Sequence, residues 1–122
     1  MPKAVVTTTN ERRELKTLPE GFVELRQMTY GQIVQRRSMI KLSFTSSKQT
    51  KDFRGEMAAA NQEVTMFEFK HAIVDHNLED ENGNKLNLGV ATDFAKLDPR
   101  VGQEIEKYIS EMNNFEDDDQ EN

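Results

Sequence analysis

The sequence predicts a mainly α-helical domain of three to four helices, with marginal short strands and a disordered acidic C-terminal tail. Two segments begin with a capping box, a Thr followed three residues later by Gln or Glu. A third begins with Asp98-Pro99 and carries an apolar stripe over about three turns. Leu, Ile, Val and Phe account for only 28 of the 122 residues, so we expect a small core with unstructured ends.

The N-terminal region predicts extended structure rather than a helix. Residues 1–17 contain one β-branched run, Val5–Thr9, and we expect a flexible or extended arm or an edge strand there. Leu18–Gly21 reads as a turn, because Pro presets φ and Gly tolerates positive φ. Phe22–Gln27 is either a short strand or the lead-in to the first helix.

The first helix has a well-defined start. Thr29 is placed to act as its N-cap and Gln32 to complete the capping box, with Met28 and Ile33 as the flanking hydrophobic pair. Apolar residues then recur at mostly helical spacing. The pattern predicts a helix over Tyr30–Leu42.

The middle of the chain is less regular. Phe44–Lys51 is rich in Ser and Thr and predicts a loop, and Asp52–Asn61 predicts a weak, short helix. The second capping box, Thr65–Glu68, predicts a helix from Met66 to His76 or Asn77. A start one turn earlier, at Asn61, is the alternative.

The C-terminal third contains the strongest helical pattern. Leu78–Leu88 centres on Asn82-Gly83 and predicts a small hairpin or an exposed loop, and Asp93–Lys96 predicts one helical turn. Pro99–Asn113 predicts a complete helix with an apolar stripe. The stripe consists of Val101, Ile105, Tyr108, Ile109 and Met112.

We therefore divide the chain into an arm (1–17), a single α-rich domain (18–114) and a disordered acidic tail (115–122). Phe115 is the only apolar residue of the tail. We expect the tail to be dispensable for folding, because eight residues rich in acids bury too little surface to become ordered.

Charge is unevenly distributed along a chain whose net charge is −6. Residues 1–61 hold 11 Lys and Arg against 6 Asp and Glu, for +5, whereas residues 62–122 hold 5 against 16, for −11. This asymmetry indicates either that the halves pair with each other or that one binds a charged partner. The basic run that begins at Arg36-Arg37 favours a solvated helix face over a nucleic-acid contact, since it has little aromatic interleaving.

No pattern in the sequence points to catalysis, a metal or a cofactor. The chain has no Cys, no P-loop, no dinucleotide fingerprint and no nucleophile elbow. His71 and His76 are five residues apart, which on a helix directs them to different sides, although His71 and Asp75 are spaced for a surface pair. We expect a soluble, cytoplasmic, non-enzymatic protein without a membrane segment.

Partner binding is therefore the expected activity. The candidate residues lie on the first and last predicted helices. For the last helix a core role is favoured, and an exposed binding groove is the alternative. The candidates are Ile33, Arg36, Arg37, Ile40, Val101, Ile105 and Ile109.

Three segments, Leu18–Gly31, Phe67–Leu78 and Leu97–Ile105, resemble tail assembly chaperones of long-tailed bacteriophages. The resemblance extends over Leu18–Asn113. It implies a largely helical helper protein of the host-cell cytoplasm, which coats the tape-measure protein, recruits tail-tube subunits and is absent from the finished tail.

Two alternatives to the chaperone remain open. One is a small structural head or neck protein of the virion, and the other is a nucleic-acid-binding regulator that uses the basic first half. Self-association is compatible with all three.

Overall fold

The structure is a computed structural model. It describes residues 2–7, 9–47 and 53–115, and it describes their side chains except within 42–60. The elements within these ranges, in chain order, are β1 (Glu11–Glu14), β2 (Phe22–Leu25), α1 (Tyr30–Ser47), α2 (Phe53–Ala72), β3 (Ile73–His76), α3 (Ala91–Phe94) and α4 (Pro99–Asn113). The four helices, which hold 47% of the chain, confirm the expected number. The strands, however, form a three-stranded antiparallel sheet, so the fold is mixed α/β rather than mainly α.

The sheet has the order β1-β2-β3, and a tight turn joins its first two strands. Gly21 N–H donates to the Leu18 carbonyl oxygen and Leu15 N–H to the Gly21 carbonyl oxygen, each at 2.9 Å, which confirms the predicted turn. The positive φ, 68°, belongs to Glu20 rather than to Gly21. Gly21 is required for a different reason, because a Cβ there would lie 3.0 Å from the Leu18 carbonyl oxygen.

The N-terminal strand forms later in the chain than its composition suggests. Val5 and Val6 are exposed and lie outside the sheet, whereas the charged residues of β1 pair with β2, Glu14 opposite Phe22. Of the two interpretations of residues 1–17, an extended arm or an edge strand, the edge strand is present, but it forms at Glu11–Glu14 and not at the valines. The turn fixes which residues of β1 pair with β2, and this pairing decides the position of the strand more strongly than the β propensity of the valines.

The second and third predicted helices are one helix, and it ends early. Thr65 lies inside α2 instead of capping it, and the chain turns from helix to strand between Ala72 and Ile73. Ile73 lies opposite Leu25 of β2 and His76 opposite Val23. Pairing with a distant strand thus overrides helical spacing in a segment whose β-branched residues fit a sheet.

The start of α1 is as predicted. Thr29 Oγ1 accepts from Gln32 N–H at 3.3 Å, and Gln32 Oε1 accepts from Thr29 N–H at 3.0 Å. The helix continues to Ser47, into the expected loop at Phe44–Lys51. The rest of that expected loop lies outside the described residues.

The segment after β3 forms the small hairpin predicted around Asn82-Gly83. Gly83 has φ 82° and donates to the Asp80 carbonyl oxygen at 3.1 Å, and Glu79 bridges to Lys85. The short helix α3 then lies close to the predicted helical turn.

Helix α4 has the predicted bounds. The Asp98 carboxylate accepts from Arg100 N–H at 2.8 Å, and Asn114 ends the helix in the left-handed conformation. Phe115, placed in the tail by the sequence, is only 2% exposed and belongs to the core. The remainder of the expected tail, 116–122, lies outside the described residues.

The core lies between the sheet, α2 and α4, and the loop that follows β3 closes one side. No helix among the described residues has the length and apolar character needed to cross a bilayer. The buried apolar residues are Leu15, Val23, Leu25, Met28, Phe67, Phe69, Ala72, Leu78, Leu86, Leu88, Val101, Ile105, Ile109 and Phe115.

Candidate partner-binding site

Two adjoining cavities run along the junction of α2 and α4. Their volumes are about 290 and 550 Å³, and they share Asn61, Thr65 and Glu106. One continues past Leu97 toward α3, and the other continues past Ile40 on α1. We refer to the continuous depression as the α2/α4 groove.

The groove has an apolar floor and a polar rim. The floor is formed by partly buried side chains and includes Ile40, Val64, Phe94 and Leu97. The rim is formed by exposed polar side chains, including Asn61, Gln62 and Gln103. This pattern is typical of surfaces that receive the apolar face of another segment.

Glu106 lies in the middle of the groove. Thr65 Oγ1 donates to its carboxylate at 3.1 Å and so connects α2 to α4. Within the described residues Glu106 has no ion pair. Its charge is therefore available to attract a cation at the rim.

The other two acids of the groove, Asp98 and Glu68, each have a cationic partner. The pKa of the Asp98 carboxyl is lowered by hydrogen bonds from the side chain and the backbone of Arg100. Glu68 accepts from Arg36 Nε at 2.8 Å.

The ion pair between Arg36 and Glu68 closes one end of the groove. These residues are 5% and 7% exposed, and the guanidinium also lies 3.7 Å from the centre of the Phe115 ring. The contact joins α1, α2 and the C-terminal end of α4. Arg36 is therefore part of the fold rather than of a solvated basic face.

The candidate residues from the sequence occupy three environments. Ile33, Arg37 and Ile40 are partly buried on α1, Arg36 is buried, and Val101, Ile105 and Ile109 belong to the core. Only Arg36 and Ile40 reach the groove. A partner can contact Val101, Ile105 and Ile109 only if α4 is displaced.

Several groove residues were missed from the sequence. The sequence predicts Thr65 as a helix cap, whereas its hydroxyl donates to Glu106 on α4. Val64 directly precedes the predicted cap, Phe94 is the last residue of α3, and Leu97 follows α3 in a segment too short to show periodicity. Among these groove residues, only Glu106 could have been placed at the surface from the sequence, because it lies off the apolar stripe of α4.

The two histidines have structural contacts. Burial is the largest cause that lowers the pKa of each ring, and the Nδ1 atoms lie 3.1 Å from Gln32 Nε2 for His71 and 3.0 Å from Leu78 N–H for His76. The expected pairing of His71 with Asp75 is wrong, because Asp75 is on β3 and binds Lys85 at 2.8 Å. In the described part of the chain, no three acidic or histidine side chains are grouped to hold a metal ion.

Comparison with known proteins found no matching family model, curated protein or solved structure.

Proposed function

We propose that this protein is a non-enzymatic tail assembly chaperone of a long-tailed bacteriophage that works in the host-cell cytoplasm. It binds a helical segment of the tape-measure protein in the α2/α4 groove and helps to recruit tail-tube subunits. The observation that carries the proposal is the apolar floor between two helices, which suits helix-in-groove recognition. The resemblance of the sequence supplies the identity of the client.

The dimensions of the groove favour a short helical segment. From Pro99 to Glu106, α4 advances about 10 Å at about 1.5 Å per residue, and α2 advances a similar distance from Asn61 to Glu68. That length accommodates about two turns of a client helix. The client should therefore present apolar residues at i, i+3 or i+4, and i+7.

Charge adds a preference for a basic rim on the client. Glu106 lies at the centre of the groove, and the whole chain has a net charge of −6. Opposite charge at the rim of an interface accelerates association and selects the partner. We expect the bound segment to carry Lys or Arg beside its apolar residues.

The two alternatives make different demands on the protein. A regulator that bound nucleic acid through the first basic helix would need Arg36 at the surface, whereas Arg36 is buried against Glu68. A structural head or neck protein would be retained in purified virions. Detection of the chain in virions by mass spectrometry would therefore contradict the chaperone assignment.

Binding can be tested with peptides that tile the tape-measure protein of the same phage. Asn61→Arg with Gln62→Arg adds two positive charges to the exposed rim of the groove without touching the core. We expect this variant to weaken binding of the best peptide by about tenfold or more, which is about 1.4 kcal/mol. Calorimetry provides the dissociation constants.

Glu81→Arg is the matched control, because it also changes the charge by +2 but lies in the exposed hairpin after β3. It should leave the affinity almost unchanged. Equal weakening by both variants would show that net charge rather than the groove controls binding. Absence of binding by every peptide would contradict the proposed client.

A further inference from the structure

A second cavity, of about 650 Å³, lies between the β1-β2 hairpin and α4. Its lining contains four cations and two acids, whereas that of the α2/α4 groove contains one cation and three acids. The cations are Arg13, Lys16, Arg100 and Lys107, and the acids are Glu104 and Glu111. We refer to this cavity as the basic groove.

Glu104 holds the basic groove in shape. Its carboxylate accepts hydrogen bonds from Lys16 N–H at 2.8 Å, from Thr17 N–H at 3.0 Å and from the hydroxyl groups of Thr17 and Tyr108. Burial alone would raise the pKa of this carboxyl, but the hydrogen bonds outweigh burial and lower the pKa to about 2. The charge of Glu104 is thus stabilised by hydrogen bonds from the hairpin and from Tyr108.

The two lysines differ from the two arginines in their pairing. Arg13 binds Glu11 at 2.8 Å and Arg100 binds Asp98 at 3.4 Å. Lys16 and Lys107 are exposed and have no ion pair within the described residues. The groove therefore presents two ammonium groups with unused capacity for an anion.

The sequence contains a segment of complementary charge at a suitable distance. Residues 116–122 include five acids and directly follow Phe115, which is buried at the C-terminal end of α4. Lys107 lies eight residues before Phe115, about 12 Å back along the helix. Seven residues in extended form span about 23 Å, which is enough to reach Lys107 and continue toward Lys16.

The helix end adds a reason for this segment to turn back. The last carbonyl groups of α4 carry partial negative charge, so acids beside them are destabilising unless cations are near. We propose that the basic groove binds the acidic segment Glu116–Asn122 of the same chain, with its carboxylates facing Lys16 and Lys107. This inference does not depend on the proposed function.

Zero-length carbodiimide cross-linking of the full chain tests the contact, because it joins a carboxylate to an amine only when they touch. An equimolar mixture of ¹⁴N- and ¹⁵N-labelled protein separates links within one chain from links between chains. Lys70 and Lys96 are the control amines, since both are exposed and lie outside the basic groove. Mass spectrometry identifies the linked peptides.

We expect links from the acidic segment to Lys16 and Lys107, within one chain and several times more frequent than links to Lys70 and Lys96. The preference should be present at about 0.01 M salt, where the Debye length is about 30 Å, and lost at about 1 M, where it is about 3 Å. Equal linkage to all four lysines would overturn the proposal. Links found only between chains would also overturn it and would indicate a second copy as the occupant.

A second measurement uses a full-length variant in which the five acids of the segment become Asn or Gln. The proposal predicts that the NMR amide signals of Lys16, Thr17 and Lys107 shift, whereas those of Lys70 and Lys96 stay in place. Unchanged signals at Lys16, Thr17 and Lys107 would overturn it.

Discussion

Phe115 shows how one side chain sets the C-terminal limit of the packed core. Its ring is 2% exposed and faces the Arg36 guanidinium at 3.7 Å. Loss of a buried Phe side chain costs about 3–5 kcal/mol. We therefore expect a chain truncated after Asn114 to lose about that much free energy of unfolding in urea titrations.

Truncation one residue later is the matched control for Phe115. A chain that ends at Phe115 keeps the ring and lacks only residues 116–122. We expect its free energy of unfolding to stay within about 1 kcal/mol of that of the full chain, which is the range for exposed ion pairs. Equal stability of the two truncated chains would contradict the core assignment of Phe115.

The ion pair between Arg36 and Glu68 makes a second prediction for single residues. Removal of one partner leaves a buried charge and costs about 3–5 kcal/mol. We expect Arg36→Met and Glu68→Leu each to have such an effect on the free energy of unfolding. The double variant should cost clearly less than the sum, since neither charge then remains; additive effects would show that the residues are not coupled.

Residue environments were the hardest feature to predict from the sequence. Arg36 lies in a basic run that predicts a solvated face, because its partner Glu68 is 32 residues away and no local pattern links the two. Gly21 was predicted as a turn residue for its tolerance of positive φ, yet the neighbour Glu20 adopts that conformation. For Arg36 the deciding contact is the ion pair with a distant residue. For Gly21 it is the close approach to the Leu18 carbonyl oxygen, which only the folded turn reveals.

At the scale of elements, α4 is the helix on which the fold depends. Ile105 is 0% exposed at the centre of its stripe. We expect Ile105→Ala to cost about 2–5 kcal/mol and Ile105→Asp to unfold the domain, because a carboxylate would enter the core without a partner. Circular dichroism with thermal melting measures both effects, and Glu111→Ala on the exposed side of α4 should have little effect.

The same Ile105→Asp variant can contradict the core assignment. If it folds normally but loses the tape-measure segment, the α4 stripe is the binding surface and the α2/α4 groove is not. If it folds and still binds, both the core role and the binding role of Ile105 are wrong.

Two elements with strong local signals, the start of α1 and the whole of α4, were predicted well, whereas the local capping box at Thr65–Glu68 lies inside α2, and β1 and β3, which depend on pairing, were not located. Helix α4 has its N-cap, its Pro at N1 and its apolar stripe within one segment, and its bounds were predicted to the residue. β3 was predicted as the end of a helix, because its partner β2 lies about fifty residues earlier and only the sheet reveals the pairing. β1 consists of four charged residues and has no strand signal of its own.

On the scale of the whole molecule, α4 separates two grooves of different character. The α2/α4 groove has an apolar floor and Glu106 at its centre, whereas the basic groove on the hairpin side collects four cations. Neither groove could be predicted from the sequence, since each is assembled from elements that only the tertiary fold brings together. The grooves do not follow the asymmetry of charge along the chain, because two cations of the basic groove, Arg100 and Lys107, come from the acidic half.

Glu104 connects the hairpin turn to α4, and this makes global stability depend on pH. Its pKa is about 2 in the folded protein against an ordinary value of 4.5. Between these values the unfolded chain binds more protons than the folded protein, so the free energy of unfolding rises with pH. The contribution of Glu104 is complete above about pH 4.5 and is lost as the pH falls toward 2.

Glu104→Gln should remove this dependence while keeping the size of the side chain. We expect the variant to lose about 1–3 kcal/mol at pH 7, because a neutral amide accepts the four hydrogen bonds less well than a carboxylate. Its urea midpoint should also approach that of the wild type as the pH falls from 4.5 to 2, with Glu111→Gln as a control that follows the wild type throughout. A constant difference between Glu104→Gln and wild type across this window would mean that the carboxyl titrates alike in the folded and unfolded chains, so that its hydrogen bonds do not hold the hairpin to α4.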